Sequence, residues 1–176
     1  MKKVLLIFIA ALLIFSSSCK QSSSTDVDSK EEVKTEQEGE KSPAIDFELD
    51  KLSGEKVKLS DLKGKYVVLN FFTVDCPYCV REMPYFIKAS KDYKDKGIEI
   101  LFIDSGNSPT DVKSFVEESK LNIDPALDTN GEVFYKYSLR GVPTTIFIDK
   151  DGNIIDTHVG LMKEEDLKAA LDKLKS

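Results

Sequence analysis

The chain has 176 residues, 41% of them hydrophobic and 32% charged, and 25 Lys and Arg against 31 Asp and Glu give a formal net charge of -6. That length holds one globular domain with an appendage at one end, and excludes a second folded domain of ordinary size. With a pI near 5.0, the chain repels nucleic acid and anionic lipid headgroups on average, so neither is expected as its principal surface partner.

At the N-terminus, Lys2 and Lys3 precede an apolar run from Val4 to Phe15, and Ser16, Ser17, Ser18 and Cys19 follow it. The run is too short for a membrane-spanning helix and reads as a processing signal over residues 1–18. A short apolar core ending in small residues and a cysteine resembles a bacterial lipoprotein signal, in which Cys19 becomes the lipid-bearing first residue after cleavage. Ser16 departs from the Leu usual three positions before that cysteine, so plain secretion and an uncleaved anchor remain as alternatives. From residue 19 to 41 the sequence is Ser, Thr, Glu, Lys and Gln with almost no large apolar side chain. Such a segment cannot bury enough surface to offset ordering entropy and is expected to be a disordered tether. The folded domain is expected over 42–176.

Within that domain, Ile45 to Leu52, a Ser53-Gly54 turn and Val57 to Leu59 predict a β-hairpin. Tyr66 to Phe72, Ile98 to Asp104 and Thr144 to Asp149 are nearly continuous apolar runs, the pattern of strands covered on both faces. Helices are expected from Cys79 to about Lys94, ending near Gly97, and from Asp111 to Ser119, opened by Ser108 as N-cap and Pro109. Asn153 to Val159 alternates like a half-exposed strand. Leu167, Ala170, Leu171 and Leu174 mark a final amphipathic helix. Strands alternating with helices imply an α/β architecture, a central sheet with helices on both faces.

If Cys19 carries lipid, Cys76 and Cys79 are the thiols left. A bridge between residues so close constrains the unfolded chain little, so reactivity explains the pair better than structural cross-linking. Cys76 follows a strand and opens a helix, where backbone N–H groups and the helix dipole favour negative charge. A free cysteine titrates at about 8.5, and this setting lowers that to roughly 3.5–7.5, so Cys76 is expected to be a thiolate nucleophile. Cys79, one turn on, is placed to resolve a mixed disulfide formed at Cys76. Pro77 and Tyr78 between them are candidate substrate contacts. The exchange needs no cofactor. A zinc half-site needs further ligands, and with no second C-x-x-C and His158 as the only histidine, no metal is expected.

The segment PAIDFELDKLSGEKVKLSDLKGKYVVLNFF, the C-x-x-C pair with Glu82, Met83 and Pro84 behind it, and Gly141-Val142-Pro143-Thr144 before TIFIDKDG resemble the TlpA/ResA branch of the thioredoxin superfamily. The likeness spans Pro43 through Asp149. It implies a thioredoxin-like fold, a central mixed sheet flanked by helices with an N-terminal β-hairpin and an extra helix-strand insertion around Thr110 to Leu127. It also implies a cis peptide bond before Pro143 beside the sulfur pair, and pairing of the Val142 backbone with an extended substrate segment. Asn70 stands where thioredoxin has a buried aspartate, so proton relay by a carboxylate at that position is not expected. Phe72 and Asp75 stand where the branch usually has tryptophans. Asp75 either opposes thiolate formation through like-charge repulsion or points to solvent, and the second reading is preferred.

The resemblance implies protein thiols and disulfides as substrates, action outside the cytoplasmic membrane through a lipid anchor, and a reducing direction. The reductant would serve cytochrome c maturation or another envelope protein and be recharged by a thiol-type membrane electron donor. The residues themselves leave the direction open. Two other readings stand beside this one. Thr73 echoes the peroxiredoxin site, although Leu69 occupies the place of that site's proline. A tethered, non-catalytic binding module is the other, since fold does not fix function. Asp149, Asp151 and Asn153 have the spacing of a calcium loop, but Ile154 and Gly160 replace its turn glycine and its glutamate, and a hairpin turn explains them better. His158 is expected to be an exposed strand residue.

Overall fold

The computed structural model describes residues 42–174. The expected signal over 1–18, Cys19 and the tether over 19–41 lie outside the described residues. Among the described residues no helix is long and apolar enough to cross a membrane.

In chain order the elements are β1 (Ser42–Pro43), β2 (Glu48–Asp50), β3 (Lys56–Lys58), β4 (Tyr66–Phe72), α1 (Pro77–Asp92), β5 (Ile98–Ser105), α2 (Pro109–Glu118), β6 (Ala126–Asp128), α3 (Glu132–Lys136), β7 (Thr144–Ile148), β8 (Asn153–Val159) and α4 (Glu164–Lys173). Six strands form one sheet in the order β1-β8-β7-β4-β5-β6, and β2 pairs with β3 as a separate hairpin. The pairs β4/β5 and β5/β6 are parallel, whereas β4/β7, β7/β8 and β1/β8 are antiparallel. Parallel neighbours require a crossover, and α1 and α2 supply the two that are needed. The mixed sheet, the N-terminal hairpin and the extra α2–β6 unit are those the sequence led one to expect.

The sheet's centre is buried because β4, β5 and β7 are apolar on both faces. Val68, Phe72, Phe102 and Phe147 pack with Met83, Phe86, Leu167 and Leu171 of α1 and α4. The alternate residues Val67, Leu69, Phe71, Ile103 and Ile146 pack with Phe47, Val57 and Val133 on the other side. Strand periodicity of two thus divides one run of residues between two cores. The second face has the hairpin and the short α3 as its cover.

Both ends of α1 and one whole helix differ from expectation for identifiable reasons. Helix α1 begins at Pro77, two residues before Cys79, because a proline at the first helical position loses no intrahelical hydrogen bond and Cys76 serves as N-cap. It ends at Asp92, and a short 3-10 turn over Lys94–Lys96 leads to Gly97, whose φ of 75° is the left-handed conformation that glycine tolerates. Helix α3 was not foreseen in the sequence. Its first turn is held by the Asp128 carboxylate at the end of β6, which accepts hydrogen bonds from the Val133 and Phe134 amides at 3.1 and 2.9 Å.

Candidate redox-active site

β4 delivers the chain at Phe72 to a short loop, Thr73 to Asp75, from which Cys76 opens α1. The Cys76 amide donates to the Thr73 carbonyl at 3.3 Å, and the Val74 amide donates to the Asn107 side-chain oxygen at 3.2 Å. Cys76 Sγ accepts the Cys79 amide at 3.1 Å, so the sulfur occupies the place of an N-cap oxygen where the helix donors converge. Cys76 and Cys79 form a disulfide with Cα atoms 5.2 Å apart. Cys76 is 8% exposed and Cys79 1%. The sulfur nearer the helix start is therefore the more approachable of the two.

Pro77 is exposed at the first helical position. Tyr78 is 58% exposed and lies under the Arg81 guanidinium, 5.7 Å from the ring centre. Asp75 is exposed, the solvent-facing alternative of the two considered for it.

Pro143 reaches the same end of the sheet from the opposite direction. Phe71 pairs with Thr144 in the antiparallel β4/β7 ladder, so Pro143 and Val142 lie just beyond the end of β4 from which Cys76 departs. The Val142–Pro143 bond is cis. The Pro143 carbonyl accepts the Gly160 amide at 2.8 Å, and Thr144 Oγ1 donates to the Gly141 carbonyl at 2.7 Å, which fixes the turn on both sides. Val142 precedes β7 and belongs to no strand. A cavity of about 320 Å³ opens beside it, lined by Thr73, Ser105, Gly131, Tyr135 and Gly141 among others. Tyr135 on its rim is 73% exposed.

On the buried face of α1 lies a residue that sequence reading named only as part of a motif. Glu82, one turn after Cys79, is 0% exposed. Its Oε1 accepts from Asn70 Nδ2 at 2.8 Å, and its Oε2 accepts from the Met162 amide at 2.8 Å. Burial raises its carboxyl above the usual range, and the two hydrogen bonds and the field of His158 hold it back only in part. Asn70 therefore stands in for no proton acceptor itself, but it holds one that enters from the helix. The available signal was the three-residue spacing from Cys79, which puts both side chains on the buried face of α1.

His158 corrects another expectation. It is half-buried, its Nε2 lies 3.3 Å from the Leu161 carbonyl, and it faces the Glu82 side of the sheet rather than open solvent. Thr73 is half-buried beside Cys76. Asp149 Oδ1 accepts the amides of Asp151 and Asn153 at 3.0 and 2.8 Å, which makes this segment the β7–β8 turn. Among the described residues no group of three or more His, Cys, Asp or Glu is placed to hold a metal ion.

A redox-competent sulfur pair capping a helix, set against a cis-proline turn on a mixed sheet, defines a thiol-disulfide oxidoreductase of thioredoxin-like fold. Comparison with known proteins agrees. The AhpC/TSA family model matches residues 41–157. The thiol-disulfide oxidoreductase ResA of Bacillus cereus is 37% identical over 131 residues, spanning 74% of this chain and 76% of that protein. Among solved structures, one described as a thiol:disulfide interchange protein DsbE of Chlorobium tepidum superposes with a TM-score of 0.72 at 28% identity, covering 77% of this chain and 97% of that one. The exposed lipoprotein thioredoxin of Streptococcus pneumoniae gives 0.67 at 31% identity, covering 74% and 100%. The chain belongs to the AhpC/TSA family, within the TlpA/ResA-type branch of the thioredoxin superfamily.

Proposed function

We propose that this oxidoreductase reduces disulfides in protein substrates outside the cytoplasmic membrane, held there by a lipid on Cys19 and recharged by a thiol-type membrane donor. The observation that carries the catalytic part is the Cys76–Cys79 pair at the start of α1, with Cys76 the more exposed and the cis Val142–Pro143 turn at the same end of the sheet. The anchor rests on the sequence before Lys20 and on the likeness to a lipoprotein thioredoxin. Cytochrome c maturation, or reduction of another envelope protein, is the setting we assign from the resemblance to the TlpA/ResA branch, to which ResA relatives at 37% identity add support.

In this mechanism the reduced enzyme presents Cys76 as thiolate. The sulfur attacks one sulfur of a substrate disulfide, a new S–S bond forms, and the other substrate sulfur leaves as thiolate. Cys79 then loses its proton and attacks Cys76 Sγ, which breaks the mixed disulfide and frees the second substrate sulfur. Two electrons pass from the enzyme dithiol to the substrate, and two protons end on the substrate thiols. Glu82, buried with a raised affinity for protons and one turn from Cys79, is the group we assign to accept the Cys79 proton. The backbone at Val142 holds the extended substrate segment by strand-like hydrogen bonds, and Pro77 and Tyr78 flank it. No cofactor takes part in this scheme.

The deciding experiment is the reduction potential of the Cys76–Cys79 pair in defined dithiothreitol or glutathione buffers. A value near or below about -250 mV supports a reductant, whereas one near about -120 mV overturns the direction and makes the protein an oxidant.

A further inference from the structure

Asp104 lies at the same end of the sheet as Cys76, in register with Phe72 across the β4/β5 ladder. Its side chain is 0% exposed. Oδ1 accepts the Asn107 amide at 3.1 Å, closing a turn in which Gly106 adopts a φ of 100° and donates its amide to the Asp128 carbonyl at 3.0 Å. Asn107 in turn uses its side-chain oxygen to hold the Val74 amide at 3.2 Å. Val74 is two residues before the nucleophile. One continuous set of contacts thus runs from a buried carboxyl in β5 to the loop from which Cys76 emerges.

The arrangement is costly where it stands. Asp104 Oδ2 is buried without a hydrogen-bond partner, as is Oγ of the adjacent Ser105, and a buried acceptor left unmatched is an expensive group. Nothing in packing the sheet requires a carboxyl at this position.

We propose that Asp104 is a positioning residue for the nucleophile: it anchors the Asn107 turn, Asn107 pins the Val74 amide, and its charge lies behind the Cys76 loop. The inference rests on Cys76 being the attacking sulfur. Burial pushes the Asp104 carboxyl up to about 7, opposed by the Asn107 amide and reinforced by the carboxylates of Asp128 on β6, Asp111 on α2 and Asp75 in the loop itself. Asp104 therefore changes charge near neutral pH. Its ionised form grips the Asn107 amide more strongly and adds negative charge behind the loop that carries a cysteine which must itself become negative. Its protonated form relaxes both effects.

The test is the pH profile of Cys76 alkylation by iodoacetamide in the reduced full chain, read at the Cys76 peptide by mass spectrometry, together with the rate of reduction of a protein disulfide. Wild type is expected to show two inflections, one near 7 from Asp104 and one from the thiol. Asp104→Asn keeps an acceptor for Asn107 but no charge, so its profile should collapse to the thiol inflection alone, moved to lower pH. Asn107→Ala keeps the buried carboxyl and cuts the tether, so the inflection near 7 should persist while protein-disulfide reduction slows roughly two- to tenfold, the worth of one hydrogen bond. An Asp104→Asn profile identical to wild type, or an Asn107→Ala rate identical to wild type, overturns the proposal. Should Asp104→Asn fail to fold, the Asn107→Ala rate decides alone. A Cys76→Ser control separates the two readings: if disulfide reduction survives in it, the assignment of the nucleophile fails, whatever Asp104 does.

Discussion

Two buried carboxyls lie on the elements that meet at the Cys76 end of the sheet, Glu82 on α1 and Asp104 at the end of β5, and they are treated differently by the fold. On the helix side, Glu82 has a hydrogen bond to each oxygen, from Asn70 and from the Met162 amide. On the loop side, Asp104 has one bonded oxygen and one buried oxygen with no partner. Both are completely buried and both are raised in proton affinity by that burial. A matched buried carboxyl ties elements together, and removing it strands its donors. A half-matched one ties through its bonded oxygen and costs stability through the bare one when ionised, and so titrates as well as ties.

The largest effects come from the group both sides serve. Cys76→Ser should abolish disulfide exchange. Cys79→Ala should accumulate mixed disulfides with protein substrates through Cys76, seen as adducts on non-reducing gels. Partner retention by Cys76→Ala equal to that of the unaltered chain would favour the binding-module reading instead.

Next comes the contrast itself. Glu82→Leu leaves the Met162 N–H without an acceptor and the Asn70 amide with only Thr145 Oγ1, and should lower unfolding free energy by roughly 2–4 kcal/mol in urea titrations. Asp104→Asn, at pH 8, should raise it by roughly 1–3 kcal/mol, because it removes a buried charge and keeps the acceptor for Asn107. If both changes destabilise equally, the contrast drawn between the two sides is wrong.

The pH dependence sharpens this further. Asp104 titrates near 7 when folded and near 3.8 otherwise, so between these values the folded state binds more protons than the unfolded one. Its contribution to stability is therefore full below about pH 4 and is lost as pH rises to about 7. The gain from Asp104→Asn should fade correspondingly as pH is lowered from 8 to 4, measured by the same titrations. Glu82 shifts in the same direction, so its share of this slope remains in the Asp104→Asn variant.

The smallest expected effect is a control. Ser108 caps α2 beside the Asn107 turn, its Oγ accepting the Asp111 amide at 3.2 Å. Ser108→Ala should cost about 1 kcal/mol of stability and leave the Cys76 alkylation profile unchanged. A shifted profile would mean that the turn responds to any loosening nearby, and the specific tether through Asn107 would lose its distinction.

The sequence was informative wherever a local pattern dictates structure. Continuous apolar runs named β4, β5 and β7, alternation named β8, and Pro109 behind Ser108 located α2, because burial and capping are read residue by residue. The spacing of Cys76 and Cys79 at a strand-to-helix junction likewise located the pair that the structure joins as a disulfide at the start of α1. Helix α3 escaped notice because its first turn is held by Asp128, a side chain from another element.

Glu82 and Asp104 mark the boundary between the two kinds of knowledge. From sequence, one is a polar residue on a helix and the other the last acidic residue of an apolar run. Only the tertiary structure puts Asn70 and the Met162 amide on Glu82 and leaves one oxygen of Asp104 bare. Composition and spacing determined the chemistry of the sulfur pair, because thiol reactivity needs only two cysteines and a helix start. The proton inventory around them was decided by packing, because the charge of a buried carboxyl depends on partners distant in sequence.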